Sequence, residues 1–340
     1  MKRSVGQQGR TRSTILGVAL LVISLIAAGW TFSRLHTHSS SPNVGAGAAD
    51  TTATIDASLA TPEPTVIATP DYAALNLSAK SIELIDAETG GVRFERDPEA
   101  QHAPASTAKI VTALTALRSA RPEDVVTIQD SDVVDPALES NMGLKAGDTV
   151  TVHDLLVGLF LPSGNDAANA LARFTGERLP DDGQPPLQRF IAAMNAEATR
   201  IGMTQSHFVN PSGDDADGQV VTAHDLGVGA RTLLADPALR PIVALPAAEV
   251  RVGGPDARVI SLTNTNELVL TNGVYGVKTG TTDKAGECLI VAYRTAQDNL
   301  IAVILDSTDR YADARALLDI PTPPPATPAA TPVPSATAAP

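Results

Sequence analysis

Ser106, Lys109, Ser163 and Lys278 have the types and spacing that acyl transfer requires, and they fall in three short runs. The runs are Ser106-Thr107-Ala108-Lys109, Ser163-Gly164-Asn165 and Lys278-Thr279-Gly280. A serine hydroxyl attacks a carbonyl poorly until a neighbouring base takes its proton. Positions i and i+3 share one face of a helix, so Lys109 can reach the Ser106 oxygen. A lysine is a base only where burial or another cation disfavours its ammonium form, and Lys278 would supply that cation. Ser106 opens the helix, which adds a positive end and free N–H groups near a developing oxyanion. Ser163 is placed to relay a proton between Lys109 and a leaving amine. Asn165 offers an amide to a substrate backbone. A strand carrying Lys278-Thr279-Gly280 can pair with an extended peptide, with Gly280 allowing close approach and Lys278 attracting a carboxylate. Any one run alone is weak, because serine and asparagine also serve as turn or cap residues. Their joint occurrence carries the reading.

These groups need a scaffold of strands and helices to meet. Ile82-Glu83-Leu84-Ile85 and Val92-Arg93-Phe94-Glu95 flank Glu88-Thr89-Gly90-Gly91, a pattern that predicts a β-hairpin. After Pro104, the residues Ile110, Val111, Leu114 and Leu117 recur at helical spacing and predict an amphipathic helix. Leu187, Phe190, Ile191, Met194 and Ile201 predict another, with Gly202 as its cap. Thr222 and Asp225 form a capping-box-like start for a third. Strands are expected at 274–279, 287–293 and 300–305, and a last helix at 310–318. Strands, then helices, then strands and a helix imply an α+β domain whose sheet pairs both ends of the chain.

The ends of the sequence read differently from this middle. Residues 13–30 carry no charge and are rich in Ile, Leu, Val and Ala, with Lys2, Arg3, Arg10 and Arg12 before them. Roughly 20 apolar residues suffice to span a bilayer, and the basic flank places the N-terminus in the cytoplasm. The expectation is a cytoplasmic tail at 1–12, a single-pass anchor at 13–33 and a linker at 34–71 poor in periodic hydrophobicity. A cleaved signal peptide ending near Ala27-Ala28-Gly29 is the competing reading. The catalytic domain, at 72–320, would be extracytoplasmic, followed by a Pro/Thr/Ala-rich tail at 321–340.

Composition narrows the function further. The net charge of −13 argues against a nucleic-acid partner, which needs clustered Lys and Arg. The single Cys288 excludes an intrachain disulfide framework and a cysteine-based metal cage, and its apolar run marks it as a core residue. None of His36, His38, His102, His153, His207 and His224 lies in His-Glu-x-x-His spacing, so neither a metal site nor a cofactor is expected.

In this order, the three runs form the signature of penicillin-binding proteins and serine β-lactamases. The region 72–320 resembles the D-alanyl-D-alanine carboxypeptidases, the low-molecular-mass penicillin-binding proteins. The resemblance extends beyond the three runs. It includes Ile85-Asp86-Ala87-Glu88-Thr89-Gly90, Pro104-Ala105-Ser106, Leu159 through Ala168, Phe208-Val209-Asn210-Pro211 and Val277-Lys278-Thr279-Gly280. The resemblance implies a β-lactamase/transpeptidase-like fold and an acyl-enzyme formed on Ser106 with a D-alanyl residue of a peptidoglycan stem peptide. Lys109 would be the base, Ser163 the relay, and Ser106 and Thr281 the N–H donors of the oxyanion hole. Arg310, before the final helix, would help hold the substrate carboxylate with Lys278 and Thr279. β-Lactams would acylate the same serine.

The sequence departs from the family pattern at two places. Thr281 stands where a bulkier or aromatic residue is common, and Ser212-Gly213-Asp214-Asp215 lacks the usual leucine. Neither departure is expected to touch the nucleophile. A β-lactamase would need a deacylating glutamate, and Glu197 reads instead as an exposed face of its helix. An endopeptidase uses the same residues, whereas a non-catalytic binding module would have lost part of the Ser106, Lys109 and Lys278 set.

Overall fold

In the computed structural model, the structure describes residues 71–321. The expected tail at 1–12, anchor at 13–33, nearly all of the linker and nearly all of the C-terminal tail lie outside the described residues. Among the described residues, no helix is long and apolar enough to cross a membrane.

The chain begins with β1 (Ser81–Asp86) and β2 (Val92–Arg96), the expected hairpin. Its turn is closed by the Asp86 carboxylate, which accepts from the Glu88 and Thr89 N–H groups, with Gly90 at φ +77°. A single 3₁₀ turn (Ala105–Ala108) then leads into α1 (Lys109–Ala116). The short strands β3 (Val125–Thr127) and β4 (Thr149–Thr151) pair with each other, and β4 runs into α2 (Val152–Phe160). Next come α3 (Asn165–Gly176), α4 (Pro186–Ile201), α5 (Ala223–Ala235) and α6 (Leu239–Val243). A second hairpin, β5 (Ala247–Val252) and β6 (Arg258–Thr263), precedes β7 (Val274–Thr282), β8 (Gly286–Arg294), β9 (Asn299–Ser307) and α7 (Arg310–Leu318).

The main sheet is antiparallel, in the order β2-β1-β9-β8-β7. β1 pairs with β9, Ile82 facing Ile304 and Leu84 facing Ala302, so the two ends of the domain share one sheet as expected. Successive side chains on a strand point to opposite faces. Ile290, Ala292, Ile301, Val303 and Leu305 join the helical subdomain on one face. Leu289, Val291, Ala302 and Ile304 meet Leu317 and Leu318 of α7 on the other. Both faces are covered, which is why β8 and β9 read as continuous apolar runs rather than alternating ones.

The ends of the helices follow local chemistry. Gly202 ends α4 at φ +100°, a left-handed conformation that costs glycine little. The Thr222 hydroxyl accepts from the Asp225 N–H at the start of α5.

Two sequence expectations are corrected. The helix after Ser106 is not amphipathic, because every residue of α1 is buried. α1 lies at the centre of the helical subdomain, where a helix has no solvent face to keep polar. Glu197 is buried, not exposed; Arg200 lies 2.6 Å from it and Arg118 3.8 Å. A carboxylate taken from water needs such partners, and here two arginines supply them.

Candidate active site

The edge strand β7 is packed against the 3₁₀ turn that carries Ser106. Residues i and i+3 of a 3₁₀ turn eclipse one another, so Lys109 stands directly over Ser106. The Lys109 Nζ to Ser106 Oγ distance is 2.8 Å. Ser106 is half-buried, whereas Lys109 is wholly buried at the start of α1. Ala105, just before the nucleophile candidate, has φ +47°, and Ser163 has φ +63°. Non-glycine residues in the left-handed region are uncommon, and these two belong to the candidate site.

Nζ of Lys109 donates to three oxygens: Ser106 Oγ, Asn165 Oδ1 at 2.7 Å and the Ser212 carbonyl at 2.7 Å. Burial pushes its ammonium down to about 7, against the opposing pull of Asp214, Asp166 and Glu139. Desolvation is the largest influence disfavouring the Lys109 cation, and the nearby carboxylates favour it. Burial, then repulsion from Lys109 and Arg310, holds Lys278 well below the usual lysine range, and the repulsion between the two lysines acts on both.

Ser163 lies in the turn between α2 and α3, and its hydroxyl accepts from Lys278 Nζ at 2.9 Å. Among the described residues its hydrogen bond is to Lys278 and not to Lys109. Lys278 also donates to the Thr279 carbonyl at 2.9 Å. The Thr279 hydroxyl meets that of Thr265 at 2.6 Å. Gly280 sits against the nucleophile's turn: a Cβ on it would lie 2.9 Å from both Ala105 Cβ and Ser106 N. Thr281, next along β7, is exposed. Arg310 opens α7 and braces the strands below, Nη1 donating to the carbonyls of Gly280 at 2.7 Å and Cys288 at 3.1 Å. Its Nε lies 3.4 Å from Glu287. Cys288 is in the core, its thiol pushed up to about 11 by burial.

Asn165 differs from the role read in the sequence, because both ends of its amide are engaged within the protein. Its oxygen accepts from Lys109, and its Nδ2 donates to Glu139 at 2.8 Å and to Asp214 at 3.2 Å. The loop at 210–219 also contradicts its expected distance from the nucleophile. Ser212 supplies a carbonyl to Lys109, and Gly213 packs on the turn itself. A Cβ on Gly213 would fall 1.8 Å from the Ala105 carbonyl oxygen, and its φ of +95° suits glycine. Asp215 then ties the loop to the β7–β8 turn by accepting from the Thr282 hydroxyl and the Lys284 N–H.

Sequence reasoning missed four residues here: Glu139, Asp166, Ser212 and Asp214. Asp166 follows Asn165 directly. Its buried carboxylate accepts from the N–H groups of Met142, Gly143 and Leu144, fixing the loop that begins at Glu139. An acidic residue next to a site motif was the available signal. Nothing local marks Glu139 or Ser212, which reach Lys109 and Asn165 only through the fold.

The arrangement places a buried amine of lowered basicity against a reachable hydroxyl, with a second amine and an edge strand beside them. Comparison with known proteins agrees with that chemistry. The pattern of the family described as D-alanyl-D-alanine carboxypeptidase matches residues 66–309. The chain is 36% identical over 224 residues to D-alanyl-D-alanine carboxypeptidase DacB2 of Mycobacterium tuberculosis, covering 65% of this chain and 72% of that one. It is 31% identical over 252 residues to DacF of Bacillus subtilis, covering 71% of this chain and 61% of that protein. Among solved structures it resembles the Streptomyces K15 DD-transpeptidase, with a TM-score of 0.67 and 30% identity over 72% of this chain and 97% of the other. The chain belongs to the D-alanyl-D-alanine carboxypeptidase family of serine hydrolases.

Proposed function

We propose that this protein removes the terminal D-alanine from peptidoglycan stem peptides through an ester formed on Ser106. The observation that carries the reading is the 2.8 Å contact between the Ser106 hydroxyl and a wholly buried Lys109. Once neutral, Lys109 takes the Ser106 proton while Oγ attacks the carbonyl carbon of the penultimate D-alanine. The N–H groups of Ser106 and Thr281 receive the developing oxyanion. Ser163, its hydroxyl held by Lys278, passes its proton to the departing D-alanine nitrogen as the C–N bond breaks and takes in its place the one that Lys109 removed from Ser106. Arg310 brings positive charge to the carboxylate end of the site, Lys278 and Thr279 bring N–H and O–H donors, and β7 offers its free edge to the peptide. Water then attacks the ester, giving a proton to neutral Lys109, which returns it to Ser106 Oγ as the acyl C–O bond breaks. β-Lactams acylate the same oxygen.

A second reading follows from the solved Streptomyces neighbour, which carries the name DD-transpeptidase. Transpeptidation shares every step up to the acyl-enzyme and differs in whether water or an amine takes the acyl group. Mass spectrometry of a pentapeptide stem incubated with the protein, with and without an added amine acceptor, tests both. Loss of one D-alanine by hydrolysis is the expected result. Product found only as the amine adduct would favour the transferase, and an intact substrate would overturn the reading.

Anchoring belongs to the same proposal. The uncharged run at 13–30 behind a basic flank supports a single-pass anchor at the cell membrane with the catalytic domain outside. Recovery of the full chain in the soluble fraction after cell lysis would overturn it.

A further inference from the structure

The loop at 210–219 and the loop containing Glu139 converge on one amide. Asn165 Nδ2 lies 2.8 Å from Glu139 Oε2 and 3.2 and 3.4 Å from the two oxygens of Asp214. A primary amide has two N–H donors on one side and a carbonyl acceptor on the other. Here the donors face two carboxylates, and the acceptor faces the Lys109 amine at 2.7 Å. Turning the amide over would set its oxygen against both carboxylates and its NH2 against the lysine. Asp214 is itself held in place. The Ser212 hydroxyl donates to its carboxylate at 2.6 Å, while Asn210 and Gln219 donate to its backbone carbonyl at 2.9 and 2.7 Å. The same loop gives Lys109 the Ser212 carbonyl.

We infer that Asp214 is a positioning residue for acylation, fixing with Glu139 the Asn165 amide so that its oxygen holds the Lys109 amine against Ser106. The inference rests on Lys109 being the base of the proposed reaction. Asp214 lies outside the three motifs, in the stretch that lacks the family's usual leucine. It also has an electrostatic consequence. The ionisable groups around Lys109 are Asp214 and Glu139 from the two loops, Asp166 of α3 and Lys278 of β7. The three carboxylates favour the ammonium form and burial opposes them. Removing Asp214 therefore lowers the pH at which Lys109 gives up its proton, and acylation turns on at lower pH.

The test is the rate of Ser106 acylation by fluorescent penicillin, followed across pH for the native protein, Asp214→Asn, Asp214→Glu and Glu139→Gln. The midpoint of the rising limb is expected to fall by about half a unit in Asp214→Asn, the scale on which an exposed charge pair acts. It should fall in the same direction in Glu139→Gln, and Asp214→Glu should keep it near the native value. A loop that merely props up the fold would change the rate at every pH and leave the midpoint fixed. Unmoved or raised midpoints in both Asp214→Asn and Glu139→Gln, with the native protein labelled normally, would overturn the inference while leaving the proposed function standing. Failure of the native protein to label would remove the function and this inference together.

Discussion

Ser106→Ala is expected to abolish labelling by fluorescent penicillin and to reduce D-alanine release by about 10⁴-fold or more, the scale on which removal of a serine nucleophile acts. The substitution deletes one oxygen atom from a half-buried side chain on a turn whose other members are buried. Ala105, Thr107 and Ala108 keep their packing, so the fold should survive and a melting curve should be close to native. Other hydroxyls stand nearby without the same setting. Ser163 is turned to Lys278, and Thr279 is paired with Thr265. Neither is hydrogen-bonded to Lys109 as Ser106 is. Penicillin labelling that persists in Ser106→Ala would disprove the nucleophile assignment.

The second large effect concerns Lys109. Both Lys109→Met and Lys109→Arg are expected to lower acylation by about 10³-fold or more, within the range that loss of general-base assistance combined with loss of positioning can reach. Arginine retains the charge and several N–H donors but does not deprotonate in a protein. If Lys109 only stabilised charge or held its neighbours, Lys109→Arg would retain much of the activity, and that result would refute its role as base. The native protein should meanwhile show an acylation rate that rises through about pH 7, where burial has brought this amine. Stability has a matching signature. Between about pH 7 and the ordinary lysine value of 10.5, the unfolded chain holds a proton on Lys109 that the folded chain has released. The unfolded state binds more protons in that window, so this group makes folding more favourable as pH rises through it. In Lys109→Met that contribution to the pH dependence disappears, which urea unfolding at pH 7 and pH 9.5 would measure.

Local signals in the sequence were sufficient for much of the scaffold. Two runs flanking Glu88-Thr89-Gly90-Gly91 predicted the first hairpin, and helical spacing ending at Gly202 predicted α4. The strands near the C-terminus were found as apolar runs, though each extends further than expected: β7 to Thr282, and β9 from Asn299 to Ser307. Their extra residues are polar or small and take strand geometry from backbone pairing with neighbours, a partner that no single-strand pattern reveals.

The sequence by itself determined the motif residues of the candidate site, because Ser106 and Lys109 are fixed by one turn and the order of the three motifs carried their relation. Tertiary structure decided how they are held and charged. It buried α1 on every side, so an expected amphipathic helix has no exposed face. It brought the loop containing Ser212, Gly213 and Asp214 onto the Ser106–Lys109 turn across about 100 residues of sequence, giving Lys109 a carbonyl and Asn165 a carboxylate. It made burial the main reason that Lys109 can be neutral. Spacing along a helix or strand is a short-range property that the chain states directly. The basicity of a buried amine is a sum over every group the fold packs around it, and that sum exists only once the chain has closed.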